Sequence, residues 1–157
     1  TAVSVVICAY TEDRLDELRA FISRRIDHHF NGLPPRAVLD LDGALQPRGA
    51  SPEFATMLEK LAPFGSGNAE PRFAFSNVRV AFADLVGDKH VRCQIQGSDG
   101  TRLKAIAFRS AATELGRALM QGRNAPPMHI AGHLRLDSWQ GEERVQMTIE
   151  DAAIAAG

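Results

Sequence analysis

The chain has 157 residues, of which 45% are hydrophobic and 24% are charged, a composition typical of globular proteins. Its length allows one ordinary domain or two small ones. The net charge of −1 argues against a strongly basic protein. Charge is uneven, because residues 72–157 carry eleven Lys and Arg against nine Asp and Glu, whereas residues 1–71 carry seven against ten. This contrast permits a basic face on the second half without requiring one.

The sequence shows no signal for a membrane or for secretion. No stretch approaches the roughly 18 consecutive apolar residues that a membrane span requires, and the apolar residues 2–9 lack the basic flank of a signal peptide. We therefore expect a cytoplasmic protein with no membrane partner. Cys8 lies in an apolar run and Cys93 in a strand-like alternation, so both are expected to be reduced, buried and free of disulfides.

The N-terminal part of the chain alternates strand and helix patterns. A β-branched run over residues 3–7 predicts a buried strand, and Thr11 is typical of a helix N-cap. The helix is expected to end near Asn31 and Gly32, and a short strand is expected over residues 37–41. Apolar residues spaced by three and four lie on one stripe of this helix: Leu15, Leu18, Phe21, Ile22 and Ile26.

A second helix and a turn-rich segment come next. Ser51 followed by Pro52 is typical of an N-cap and a first helical residue. Residues 63–71 are too rich in Gly and Pro to continue a helix or a strand, so the domain junction is placed there. The predicted buried face of the second helix consists of Phe54, Met57, Leu58 and Leu61.

From Phe73 onwards the pattern changes to the alternation of half-buried strands. Three strands are separated by turns at residues 87–88 and 98–100, and their predicted inward residues include Val78, Val80, Phe82, Val91, Cys93 and Ile95. A helix over residues 111–121, closed by Gly122, precedes two strands over residues 128–136 and 144–149. This order predicts an all-β OB-type five-stranded Greek-key barrel with one helix. A split sheet packed on one helix is the alternative.

Residues 58–73, LEKLAPFGSGNAEPRF, resemble the leucine-rich helix end and P-F-G-x-G-N-x-E-P-x-F motif of RecJ-type single-stranded-DNA-specific exonucleases, a DHH/DHHA1 phosphoesterase family. GDKH and LKAIAF further along the chain resemble the family's OB domain, and EDRL before the first helix resembles the end of its DHHA1 domain. The resemblance implies three segments: residues 1–62 as the C-terminal, α+β part of a DHHA1-like domain, 63–72 as a linker, and 73–157 as an OB-fold nucleic-acid-binding domain.

The resemblance also implies a function. The intact protein is expected to be a 5′-to-3′ single-stranded-DNA exonuclease, a hydrolase of DNA repair and recombination that uses Mn²⁺ or Mg²⁺. Its catalytic DHH domain and its Gly-Gly-His element are missing from this sequence. We expect an inactive C-terminal fragment without cofactor, catalytic residue or metal ligand, or else a degenerate stand-alone homologue. The partners implied are single-stranded DNA and other repair proteins.

Two groups of histidines are candidate metal ligands. Asp27, His28 and His29 spell the family's catalytic triplet but end an amphipathic helix, where His⁺ suits the C-terminal dipole, so we interpret the match as coincidence. His129 and His133 share one strand face without a carboxylate or cysteine close by in the sequence. We expect them to face solvent or DNA rather than a metal.

Single strands are held by basic grooves and stacking aromatic side chains, which in OB folds lie across strands two and three. Phe108 and Trp139 are the aromatic candidates for stacking, but Phe108 is expected in the core. Arg92 and Lys104 can equally belong to a solvated sheet face. A protein-interaction module that docks a repair partner or the catalytic half is the alternative function. The predicted nucleic-acid-binding residues are Lys89, His90, Arg92, Arg102, Lys104, Arg109, Arg135 and Trp139.

Overall fold

The structure is a computed structural model and describes residues 14–29, 38–139 and 142–155. It divides into two compact units, with the boundary between Leu39 and Asp40. The strand expected over residues 3–7, the Thr11 cap, Cys8 and the expected helix end at Asn31 and Gly32 lie outside the described residues. None of the helices in the described ranges is long and apolar enough to cross a membrane.

The first unit contains helix α1 (Leu15–His29), which confirms the predicted helix. Arg14 forms an ion pair with Glu17, with 2.7 Å between Nη2 and Oε2, at its first turn. Asp27 and His28 lie in its last turn. Most of its apolar stripe is exposed: Leu15, Phe21, Ile22 and Ile26.

The second unit is a closed barrel with two helices and one added strand. Its elements are β1 (Gly43–Leu45), α2 (Pro52–Glu59), β2 (Phe73–Val86), β3 (His90–Gln96), β4 (Arg102–Ala107), α3 (Glu114–Met120), β5 (Met128–Trp139) and β6 (Glu142–Ile154). The barrel order is β2-β3-β4-β6-β5, closed by pairing of β5 with β2. Strand β4 pairs in parallel with β6, and β1 pairs in parallel with β2 outside the barrel. The predicted OB-type barrel is confirmed.

The core forms from the inward residues of the strands, as the alternation predicts. Val91, Cys93 and Ile95 are buried, and burial raises the pKa of the Cys93 thiol to about 12. Helix α3 contributes the fully buried Leu119. It approaches the turn after β4 so closely that a Cβ atom on Gly116 would lie 1.8 Å from the Ser110 carbonyl oxygen. Only glycine fits there.

The predictions for the segment before the barrel are confirmed in part. Ser51 caps α2 by accepting a hydrogen bond of 3.2 Å from the Phe54 amide, with Pro52 as the first helical residue. The strand expected over residues 37–41 is wrong, because residues 38–41 are irregular and the strand is β1. The expected burial of Met57 and Leu61 is also wrong, since both are more than half exposed. The short helix instead turns Ala55 into the core, where the small side chain allows close packing.

A β-bulge in β2 changes which face Phe82 occupies. Val80 pairs with Ile95 and Phe82 with Gln94, so one extra residue, Ala81, interrupts the alternation. Phe82 therefore points outward and is 50% exposed, and its predicted burial is wrong. Bulges have this effect because strand residues alternate faces with a period of two.

The linker motif is folded against the barrel unit. Asn68 donates from Nδ2 to the carbonyl oxygens of Leu61 at 2.7 Å and Pro63 at 3.1 Å, and Gly65 forms a β-bridge with Asn68. Residues 40–72, including β1 and α2, belong to the same compact unit as the barrel. The assignment of residues 1–62 to a DHHA1-like domain stays a prediction.

Candidate nucleic-acid interface

Outward-facing residues at one level of five strands form a row around the barrel. Cross-strand pairing places Phe82 beside Gln94, and Gln94 beside Lys104. Lys104 is followed by Gln146 of β6, and Gln146 by Arg135 of β5. We call these five residues the barrel row. The row forms because side chains alternate between the two faces of a strand, and each of these residues stands next to an inward residue and so points outward.

A groove of about 320 Å³ covers the barrel row from β2 to β6. Asp137 reaches it from the outer part of β5, beyond the residues that pair with β2, so the β5–β6 hairpin forms one wall. The lining residues are Phe82, Arg92, Cys93, Gln94, Lys104, Asp137 and Gln146. The groove thus combines one exposed aromatic ring, two amides, cations and a carboxylate.

The two cations in the groove differ in their partners. Arg92 forms a two-point ion pair with Asp84, with Nε–Oδ1 at 3.0 Å and Nη2–Oδ2 at 2.5 Å. This pair holds the pKa of the Asp84 carboxyl below its ordinary value. Lys104 is exposed and makes no ion pair within the part of the chain that the structure describes. Its ammonium group is therefore the cation that the groove leaves available.

Phe82 is the functional candidate that the sequence prediction missed. Its outward position depends on the bulge, and the Ala81 carbonyl oxygen of that bulge accepts a hydrogen bond of 3.1 Å from Nε of Arg123. Arg123 lies in the 3-10 turn after α3, outside the groove. No short-range sequence signal reveals the bulge, because Ala81 fits an uninterrupted strand equally well.

Four predicted residues lie at the ends of the same sheet face. Arg102 is exposed at the start of β4 and pairs across the strands with Gln96. At the opposite end, Lys89 and Arg109 are exposed and His90 is half-buried. The structure therefore places these residues on both sides of the groove rather than in it.

Arg135 is not part of the groove. It forms a two-point ion pair with Glu70 of the linker, with Nε–Oε1 at 3.0 Å and Nη2–Oε2 at 2.7 Å. The pair raises the pKa of Arg135 and lowers that of Glu70. Trp139 is the last residue of β5, where its backbone pairs with Glu142, and its side chain lies outside what the structure describes.

The expectation that His133 faces solvent or DNA is wrong. His133 is buried, with Nδ1 2.9 Å from the Pro71 carbonyl oxygen and Nε2 3.0 Å from Oε1 of Glu150. Glu150 also pairs with Arg72, which is the main reason that its pKa is lowered. These contacts fasten the end of the linker to β5 and β6. No cluster of three or more His, Cys, Asp or Glu side chains suited to a metal occurs among the described residues.

Comparison with protein families gives a match to the RecJ OB domain over residues 41–151. This chain belongs to the RecJ OB-domain family. The matched range starts just after the boundary between the two units and includes β1, α2 and the linker. The family therefore covers the segment that folds onto the barrel as well as the barrel itself.

Two solved structures support the same fold. Crystal structures of RecJ from Thermus thermophilus in complex with Mn²⁺ and with Mg²⁺ align with TM-scores of 0.59 and 0.58, each at 21% identity and covering 90% of this chain. The alignments cover 20% and 21% of the Thermus chains, so this chain spans about a fifth of their length. A comparison with curated proteins by sequence gave no match.

Proposed function

We propose that this chain is the C-terminal, OB-containing part of a RecJ-like 5′-to-3′ exonuclease of DNA repair and recombination, and that its barrel binds single-stranded DNA. The observation that carries the proposal is the barrel row, where an exposed ring, two amides and an ammonium group with no ion-pair partner among the described residues lie side by side on adjacent strands. Single-strand binders combine these groups, because rings stack on bases and cations attract phosphates.

Each group in the row has a distinct role in this proposal. A base stacks on the exposed ring of Phe82, and the Lys104 ammonium contacts a neighbouring phosphate. The amides of Gln94 and Gln146, on either side of Lys104, offer donors and acceptors to base edges or sugars. Asp137 in the groove wall opposes phosphate, so we expect moderate affinity and a preference for low salt.

The chemistry of strand cleavage belongs to another part of the intact protein. In the family resemblance, a DHH domain with Mn²⁺ or Mg²⁺ supplies the hydroxide and neutralises the leaving oxygen. This chain would hold the strand without cutting it. Purified chain incubated with Mn²⁺ and a 5′-labelled single strand should leave the strand intact, and degradation that copurifies with the chain would refute this division of roles.

A second function is favoured by a specific surface. An apolar pocket of about 240 Å³ lies between α2, the linker and β5, lined mainly by Leu58, Phe64, Leu134 and Leu136. Met57 on α2 and Leu61 just after it are exposed, and exposed apolar groups of this kind are typical of docking sites. In this alternative the barrel unit docks a repair protein or the catalytic half.

Salt dependence separates the two functions. A fluorescein-labelled single strand of thymidine nucleotides (a thymidine strand) should bind more weakly as the salt concentration rises. Each phosphate contact adds about 0.7 to the slope of log K against log salt concentration for single strands. Lys104→Ala should reduce this slope by about 0.7. Leu85→Ala, at an exposed apolar residue of β2 that carries no charge, is the control and should leave the slope unchanged. Binding that is absent at low salt, or insensitive to salt, would favour the docking function.

A further inference from the structure

A second aromatic group lies at the far end of the β3–β4 face from Arg102. The rings of His90 and Phe108 contact each other edge to face, with centroids 5.2 Å apart and an interplanar angle of 77°. Phe108 is 55% exposed, so its expected position in the core is wrong. A large exposed ring beside another aromatic ring is suited to a stacking ligand.

Backbone contacts hold this aromatic pair in place. The Arg109 amide donates to Nδ1 of His90 at 2.9 Å, and the Ala111 amide donates to the Lys89 carbonyl oxygen at 3.2 Å. Arg109 has a φ of 53°, a left-handed conformation that turns the chain sharply directly after Phe108. Because Nδ1 accepts, a neutral His90 ring carries its hydrogen on Nε2.

Cations flank the ring pair. Lys89 and Arg109 are exposed, and neither makes an ion pair within the described ranges. The end of the sheet therefore repeats the combination found at Phe82 and Lys104, an exposed ring next to open positive charge. Both pairings of ring and cation lie on one outward face, because His90 and Gln94 are four residues apart on β3 and so point to the same side.

We propose that Phe108 and His90 form a second base-stacking subsite and that a single strand of DNA runs along the β3–β4 face between it and Phe82. The proposal rests on the proposed single-strand binding. Lys89 and Arg109 contact phosphates at the second subsite. Bases between the two subsites pass over Arg92 and Ile106, which pair across β3 and β4.

Strand geometry gives the spacing of the two subsites. His90 lies four residues from Gln94, or roughly 13 Å along β3, and β2 lies two strand spacings, or roughly 10 Å, from β4. The backbones at Phe82 and Phe108 are thus roughly 16 Å apart. At the stacked rise of about 3.4 Å, this distance corresponds to roughly five nucleotides, within the roughly 4–16 nucleotides that OB folds occupy.

This spacing predicts that the effect of Phe108 depends on strand length. A thymidine strand of about ten nucleotides reaches both rings, so Phe108→Ala should weaken its binding at least about five-fold. A thymidine dinucleotide reaches only one ring at a time. Binding of the dinucleotide at Phe82 should be unchanged by Phe108→Ala. A ligand that cannot reach both rings at once gains no affinity at one ring from the presence of the other.

The experiment combines fluorescence anisotropy for the long strand with NMR titration of the dinucleotide, followed at the backbone amides of Gln94 and Phe108. The variants are Phe108→Ala, Phe82→Ala and, as control, Leu85→Ala; all three positions are exposed, so truncation should leave the fold intact. The expected result is that Phe108→Ala weakens binding of the long strand and leaves unchanged the chemical-shift changes that the dinucleotide causes at Gln94.

The outcomes distinguish this inference from the function on which it rests. If Phe82→Ala weakens the long strand and Phe108→Ala does not, strand binding stands and the second subsite is refuted. If Phe108→Ala weakens both ligands equally at Gln94, the two rings are not separate subsites. If the unmodified chain fails to bind the long strand at low salt, the proposed single-strand binding itself is refuted.

Discussion

The barrel row contains two cations, Lys104 and Arg135, that look alike in sequence and differ in their contacts. Lys104 and Arg135 lie on either side of Gln146, each an exposed cation on an outward strand position. Arg135 is bound by Glu70 of the linker, whereas Lys104 has no ion-pair partner in the residues that the structure describes. The protein itself thus neutralises Arg135 and leaves Lys104 available to a ligand.

The same contrast extends beyond this pair. We call the side around Glu70, Arg72, His133, Arg135 and Glu150 the linker side, where cations and carboxylates are matched within the fold. A cation that is already paired with a carboxylate contributes little to the binding of a ligand. Positive charge on this barrel therefore serves two purposes: it fastens the linker on one side and remains available to a ligand on the other.

Charge reversal at Lys104 and at Arg135 should give the largest difference in DNA affinity. Lys104→Glu is expected to weaken binding of a thymidine strand more than about ten-fold, since it replaces an attraction to phosphate by a repulsion. Arg135→Glu should change affinity less than about two-fold. Fluorescence anisotropy at low salt measures both. Equal losses for the two variants would show that the linker side also contacts the strand.

Removal of His133 should affect the fold and leave the groove unchanged. His133→Ala leaves the Pro71 carbonyl oxygen and one Glu150 oxygen without their buried partner, which we expect to cost about 1–3 kcal/mol in the free energy of unfolding. Urea unfolding measures this cost. His129→Ala, on the same strand, is the control. A large loss of DNA affinity in folded His133→Ala would break the separation between the two sides.

Arg123→Ala should act on DNA only through Phe82. Loss of the hydrogen bond to the Ala81 carbonyl oxygen frees the bulge, and we expect affinity for a thymidine strand to fall about two- to five-fold. Arg117→Ala, on an exposed arginine of α3, is the control. In a Phe82→Ala background the Arg123 effect should vanish, while in a Lys104→Ala background it should persist. Additive losses with Phe82→Ala would assign Arg123 a direct contact with DNA.

The strands that line the groove could be predicted largely from local sequence. Where the prediction is wrong, the cause is also local. Alternation correctly predicts that Val91, Cys93 and Ile95 are buried and that Arg92 faces outward. It fails at Phe82, because one bulged residue shifts the face of every residue after it. The expected burial of Phe108 has another basis, its place at the end of a strand that leads into a helix. Alternation from the buried Ala105 and Ala107 places Phe108 outward, as the structure has it.

The linker side could not be predicted from local patterns, because its contacts join distant residues. Glu70 and Arg135 are 65 positions apart, and Arg72 and Glu150 are 78 apart. The motif suggested a loop between domains, but nothing within it shows which carboxylate or carbonyl would meet His133. Such pairings appear only once the barrel closes and brings β5 and β6 beside residues 70–72.

The smallest expected effect is on the free energy of unfolding at acid pH. It distinguishes a carboxylate in an ion pair from one without a partner. The Arg135 ion pair lowers the pKa of Glu70 from an ordinary value of 4.5. Its stabilisation is therefore fully present above about pH 4.5 and is lost as pH falls through the lowered pKa.

Glu70→Gln should remove this dependence, so the variant should lose less stability than the unmodified chain on going from near neutral pH to about pH 3. Because Arg135 is largely exposed, we expect a difference of under about 1 kcal/mol, measured by urea unfolding at each pH. Glu59→Gln, at an exposed carboxylate with no ion pair in the described residues, should leave the acid sensitivity unchanged. If both variants respond alike, the Glu70–Arg135 pair does not stabilise the linker, and the contrast between Lys104 and Arg135 is one of position alone.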